Sequence, residues 1–121
     1  MNPLFNKQII LGHVPSKSNS YKVIKIKGHG SLAKTDILLN YEKAFFFQCS
    51  HYRNKMIGLF EIEVDFFFRS MASDLDGGFK IIMDCLQNSR AIKNDNQCVR
   101  IVAQKFVDKD RPRVEFSLKA V

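Results

Sequence analysis

Between residues 59 and 68 the chain alternates strictly. Phe60, Ile62, Val64, Phe66 and Phe68 fall on one side, and Glu61, Glu63 and Asp65 on the other. A period of two is that of a strand with one face buried. A sheet with one apolar and one polar face favours antiparallel pairing. The same period predicts a strand over 113–119, where Val114, Phe116 and Leu118 alternate with Glu115, Ser117 and Lys119, and another over 97–106, with Val99, Ile101 and Ala103 on one face. Asp108 to Pro112 is a turn between them. Residues 7–12 and 21–27 are shorter strands, separated by the polar loop from Pro15 to Ser20. Gly28 and Gly30 end the second of these, and Ser31 to Thr35 lead into the next element.

Two segments change period. From 35 to 53, Leu38, Tyr41, Phe45, Cys49 and Tyr52 recur at steps of three and four, with Thr35 as N-cap. The run Phe45-Phe46-Phe47 widens that stripe and predicts a well-buried helix. From 76 to 88, Phe79, Ile82, Met83 and Leu86 form the apolar stripe of a second helix, with Lys80 and Asp84 on its polar side and Asp76 one turn before Lys80. The layout predicts an α+β fold: a small mixed or antiparallel sheet with two helices on its apolar face. A length of 121 residues favours one domain over 1–121, with a basic segment at 1–35.

That basic segment matters because the charge is uneven. The net charge is +7, yet residues 1–35 hold six lysines and no acid, while the remainder carries 13 basic and 12 acidic residues. The excess points to a polyanionic partner, against the plainer reading of a lysine-rich, soluble surface. No apolar run approaches the roughly 20 residues that span a bilayer. The stretch MNPLFNKQIILGHVP lacks the pattern of a secretory signal, so a cytoplasmic location is expected. Cys49, Cys85 and Cys98 make no C-x-x-C and are expected as core residues or free thiols. His13, His29 and His51 have no metal-ligand spacing. Gly28-His29-Gly30 lacks the ending of a phosphate-binding loop and is expected as a turn.

Against this background an acidic cluster is an exception. Asp74 and Asp76 are one residue apart, and in an extended segment residues i and i+2 point the same way. Lys80 follows Asp76 by one helical turn, and Asp95 lies in the polar turn Asn94-Asp95-Asn96-Gln97. Converging carboxylates need a cation, and hard oxygen donors favour Mg²⁺ or Mn²⁺. A nearby lysine would offset charge developing on a phosphate. The spacing alone equally suits an N-cap and a turn. Glu61, Glu63 and Asp65 form a rival trio, better explained as a solvated strand face paired with Arg100 or Lys119.

Asp74-Leu75-Asp76-Gly77-Gly78-Phe79-Lys80, then Asp84-Cys85-Leu86, then Asn94-Asp95-Asn96-Gln97-Cys98-Val99, resembles the RusA family of Holliday junction resolvases, whose pattern is D-L-D-N-x-x-K, a helix with D-x-L, and a D-D-x-Q turn. The resemblance is best from about Asp74 to Phe106. It extends to Pro15-Ser16-Lys17-Ser18-Asn19 and to the strand from Arg113 to Leu118. It implies a small, dimeric, Mg²⁺-dependent endonuclease that nicks four-way DNA junctions. Carried over by position, Asp74, Asp76 and Asp95 would bind metal, Lys80 would be the catalytic lysine, and Lys17, Lys22, Lys25, Lys27 and Lys34 would supply DNA contacts. Gly77 and Asn94 depart from the pattern. Two other readings stand beside it: a non-catalytic module that binds branched DNA, and a protein-interaction domain using the aromatic-rich surface.

Overall fold

The computed structural model describes residues 7–49 and 56–121. The expected helix end at 50–53, with His51 and Tyr52, lies outside the described residues. In chain order the elements are β1 (Gln8–Leu11), β2 (Tyr21–Ile26), β3 (His29–Lys34), α1 (Asp36–Gln48), β4 (Phe60–Phe68), α2 (Leu75–Asn88), a 3-10 turn (Asp95–Gln97), β5 (Cys98–Val107) and β6 (Arg113–Ala120). The main sheet runs β1-β6-β4-β5, and β2 with β3 forms a separate two-stranded sheet. This is an α+β fold.

Strand β4 is the centre. Its five alternate residues are all buried, and they face the same side as Ile10 and as Val114, Phe116 and Leu118. Both helices cover that side. Leu38, Tyr41 and Phe45 come from α1, and Ile82, Met83 and Leu86 from α2. Thr35 caps α1 by accepting the Leu38 N–H, as expected. Gln48, at the end of α1, exchanges two hydrogen bonds with the Leu11 backbone and ties the helix to β1.

The pairing is mixed rather than purely antiparallel. Strand β4 runs antiparallel to β6 but parallel to β5, because α2 makes a crossover that returns the chain to the end where β4 began. Strand β5 is therefore an edge strand. Ile101 and Ala103 pair with Ile62 and Val64 and share their face, but Ile101 stays half-exposed because α2 does not reach over it fully. Val99 sits at a register shift opposite Phe60 and Glu61 and is exposed too.

Two further expectations are corrected. Residues 29–34 are a strand, not a lead-in: β2 and β3 form a hairpin closed by Lys27 and Gly28, both at positive φ (50° and 82°). Two positive φ values are what a two-residue hairpin turn requires. Of the three consecutive phenylalanines only Phe45 is buried, whereas Phe47 is 84% exposed. Successive residues on a helix point about 100° apart, so a three-residue run cannot share one face.

The opposite face of the sheet is open and charged. Arg113 donates to Glu115 at 2.7 Å and to Asp108 at 2.9 Å, and Lys7 meets Glu115 at 2.8 Å. The Arg113 guanidinium also lies 3.8 Å from the centre of the Phe67 ring, which stacks on Phe106. The rival trio belongs to this face: Arg100 pairs with Glu63 at 3.6 Å, and Lys119 stands opposite Glu61 in register.

Hydrogen bonds from Lys7 and Arg113 hold the Glu115 carboxyl below its ordinary value of 4.5. A depressed carboxylate pKa stabilises the fold fully above the unfolded value, and that contribution is lost as pH falls through the folded one. Glu115→Gln is expected to flatten the loss of stability below pH 4.5, measured as urea midpoints across an acid series. Gly78 packs directly on β4, where an added Cβ would stand 3.1 Å from Phe68 and 3.2 Å from Phe66. Gly78→Val is expected to cost about 1–3 kcal/mol of unfolding free energy through overpacking, read from the same denaturation curves.

Candidate nuclease site

Helix α2 places the acidic cluster. Asp74 ends the loop from β4 and takes the N-cap position in an extended conformation, yet its side chain makes no capping hydrogen bond. Asp76 lies inside the first turn, where its Oδ1 accepts the Gly77 N–H at 2.9 Å. The expected common direction of Asp74 and Asp76 is not observed. The chain is already helical at Leu75, and in a helix residues two apart point about 200° apart. The two carboxylates consequently line different hollows.

Asp76, Lys80 and Asp95 do come together. They line a groove of about 310 Å³ along the uncovered edge of the sheet, with Phe79, Met83 and Ile101 as its apolar wall. The Lys80 ammonium is 3.8 Å from the Asp95 carboxylate and 3.5 Å from that of Asp84. Asp95 is held by its own N–H, which donates to Gln87 in the last turn of α2 at 3.1 Å. Asn94 caps the 3-10 turn by accepting the Asn96 N–H at 3.0 Å, so a neutral side chain serves that position. Asp74 stands at the N-cap position of the 14-residue helix, and Asp95 is tied to its last turn. Among the described residues no three His, Cys, Asp or Glu side chains are grouped so as to hold a metal ion.

The lysines divide by position. Lys17 lies beside the first turn of α2, and its Cβ is 3.9 Å from where a Cβ on Gly77 would stand. Lys22 and Lys25 are exposed on β2, and Lys27 is exposed at the tip of the hairpin. Lys34 is engaged by Glu42, with bonds of 2.9 and 3.2 Å that raise its pKa. The cysteines are free thiols, and burial pushes the Cys85 thiol up to about 12, which suits a core residue rather than a nucleophile.

One residue escaped the sequence reading. Lys105 donates to the carbonyls of Met71 (3.0 Å) and Ser73 (2.9 Å), clamping the loop that delivers Asp74. Its signal was present: Lys105 continues the face of Ile101 and Ala103, pairing with buried Phe66. A lysine in such a row buries its stem and carries its ammonium to a specific acceptor.

Residues 14–119 match the family model described as Endodeoxyribonuclease RusA. The chain belongs to the RusA endodeoxyribonuclease family. No curated protein matches it. The match takes in the hairpin, both helices and nearly all of β6, beyond the stretch from Asp74 to Phe106 where the resemblance is best. The RusA family is one of DNA endonucleases of the Holliday junction resolvase class, and no helix of this member is long and apolar enough to cross a membrane among the described residues. Its two departures from the RusA pattern are structurally mild. Asn94 caps a turn, and a side chain at Gly77 would meet only ordinary contacts with Lys17 and Asp74. For the divalent metal that RusA nucleases generally use, the donor chemistry fits: Asp76 and Asp95 offer carboxylate oxygens to one groove, with Asp74 across the first turn.

Lys105→Met removes a charged donor with two backbone acceptors, and hydrogen bonds to charged groups contribute about 1.5–3 kcal/mol each. The variant is expected to lose stability on that scale or somewhat less. Faster amide exchange confined to residues 70–76 is the distinguishing measurement.

Proposed function

We propose that the chain is a Mg²⁺-dependent, structure-selective endonuclease that resolves four-way DNA junctions by paired symmetric nicks, in recombination and repair. Mn²⁺ has the same preference for oxygen donors and would substitute. The observation that carries the reading is the groove shared by Asp76, Lys80 and Asp95, in a chain that the RusA model matches over residues 14–119.

Asp76 and Asp95, with Asp74, would hold the ion. A divalent ion there supplies Lewis acidity toward a phosphate oxygen and lowers the pKa of bound water. The protein's own part is electrostatic. Lys80, 65% exposed, extends its ammonium over the groove, where it would stabilise charge building on the cleaved phosphate. Gln87 fixes Asp95 through its backbone N–H, and the Asp95 carboxylate keeps a 3.8 Å contact with Lys80. Lys17, Lys22, Lys25 and Lys27 would contact phosphates, and the exposed hairpin gives the last three a surface well clear of the core. Such contacts position DNA without reading sequence and weaken steeply with salt. Lys34, already paired with Glu42, would add least. Two nicks placed symmetrically across a junction call for a homodimer with two-fold symmetry. A cytoplasmic site of action suits a nuclease of cellular DNA.

A second reading is a non-catalytic module for branched DNA. It is favoured by the separation of Asp74 from Asp76 and Asp95, which leaves only two of the three acids in one groove.

Cleavage of a labelled synthetic junction separates the two. Wild type is expected to nick with Mg²⁺, while Asp76→Asn and Asp95→Asn lose more than about 100-fold in rate, beyond the roughly 10–100-fold that losing an outer-shell partner of a metal ligand costs, and still bind the junction. Undiminished cutting by both variants rejects the site, and binding without cutting in any divalent ion favours the module.

A further inference from the structure

A second hollow, about 860 Å³, opens on the other side of the first turn of α2 from the groove. It lies between the 13–19 loop and the loop before Asp74, and Asp74 forms part of its wall. Its size is that of a small-molecule site, for which roughly 300–1,000 Å³ is usual.

The lining has three chemistries. Val14 and Phe68 lie buried beneath the floor, while the half-buried His13 ring, 5.9 Å from that of Phe68, and the exposed Ile37 of α1 present ring and apolar surface to the hollow. Ser16, Ser18 and Asn19 supply hydroxyl and amide groups. Lys17 and Arg69 supply two exposed positive charges, and among the described residues neither has a carboxylate within ion-pair distance. Asp74 is the single acid in the lining. An occupant that satisfies all three needs an anion, a flat apolar body and a polar edge.

Resting on the nuclease reading, we infer that this hollow holds one unstacked nucleotide of the DNA strand being cut. Its phosphate lies toward Lys17 and Arg69, and its base lies against the His13 ring and Ile37. Duplex DNA is too wide to enter, so the nucleotide must leave its stack. That costs a few kcal/mol in intact duplex and least where pairing is already lost, as at a branch point. The hollow thereby couples recognition of a junction to delivery of the adjacent phosphate to Asp74. Two features keep it ready. Lys105 anchors the carbonyls of Met71 and Ser73 at its border. Gly77 presents no side chain between Lys17 and Asp74, where a Cβ would stand 3.9 and 4.0 Å from theirs.

The test uses synthetic four-way junctions with 2-aminopurine at single positions on either side of the crossover, bound by the full chain in EDTA. Fluorescence of this base rises when it unstacks, and anisotropy of a dye on a distant arm reports binding separately. Wild type is expected to raise the emission several-fold at one position. Ala72→Trp and Ile37→Trp fill the hollow from opposite walls, and at equal bound fraction either is expected to abolish the rise. Lys17→Met with Arg69→Met is expected to reduce it. No rise at any position on a bound junction, or an undiminished rise in both tryptophan variants, overturns the inference. A protein that nicks with Mg²⁺ but shows no rise loses this inference alone. One that neither binds nor nicks loses the nuclease reading as well.

Discussion

The arrangement of the site depends on how closely α2 lies against β4. Gly78 makes that approach possible, with the rings of Phe66 and Phe68 directly beneath it. Those two rings stack on each other, 5.4 Å between centres, and form a flat, fully buried bed for the first turn of the helix. Asp74, Asp76 and Lys80 all lie within one turn of that contact. Their positions over the sheet are set by the depth at which the helix beds down. Cores pack at crystal-like density, so a displacement of even a methyl group there would be passed to the charged residues.

Once α2 is seated over β4, the edge of the sheet is left uncovered. Strand β5 keeps half of Ile101 in solvent, and the gap becomes the groove that holds Asp76, Lys80 and Asp95. Incomplete coverage of the core is thus what creates the site. The same helix separates the acids into two hollows, one on each side of its first turn. Lys105 steadies the entry loop from beneath, and Gln87 steadies Asp95 from the far end. Charge follows the same plan at larger scale. Residues 7–35, which hold no acid, form β1, the loop beside Asp74 and the hairpin, while Asp76 and Asp95 lie in the groove and Glu61, Glu63, Asp65 and Glu115 on the open face of the sheet. On that open face Arg113, Glu115, Asp108 and Lys7 neutralise one another, so it contributes little to attraction of a polyanion.

Much of the fold was legible where one physical requirement dominated. The alternation in 60–68 and 114–118 and the stripes of Leu38, Tyr41, Phe45 and of Ile82, Met83, Leu86 all report burial on one face, and all are buried. Strand β3 was hidden because it buries almost nothing: Gly30, Ser31 and Leu32 are exposed and held by backbone pairing and a turn rather than by side chains. Phe46 and Phe47 misled for the opposite reason, being apolar residues at helical positions that face outward. The parallel pairing of β4 with β5 was also out of reach, since alternation marks a face and not a direction.

For the candidate site, spacing marked Asp74, Asp76, Lys80 and Asp95 as an acidic cluster with a lysine, and the motifs around them carried the resemblance to the family whose model matches residues 14–119. Chemistry of that kind is written in local pattern, because a carboxylate or an ammonium keeps its character wherever it is placed. Which of the four share a groove was decided only by the tertiary structure. Asp76 and Asp95 meet because a crossover helix returns the chain to one sheet edge, and Asp74 parts from Asp76 because helical geometry begins one residue after it. The clamp from Lys105 and the hollow beside Lys17 were likewise decided there. Each joins segments distant in sequence, and no local pattern records a contact whose partners are set by the packing of a helix on a sheet.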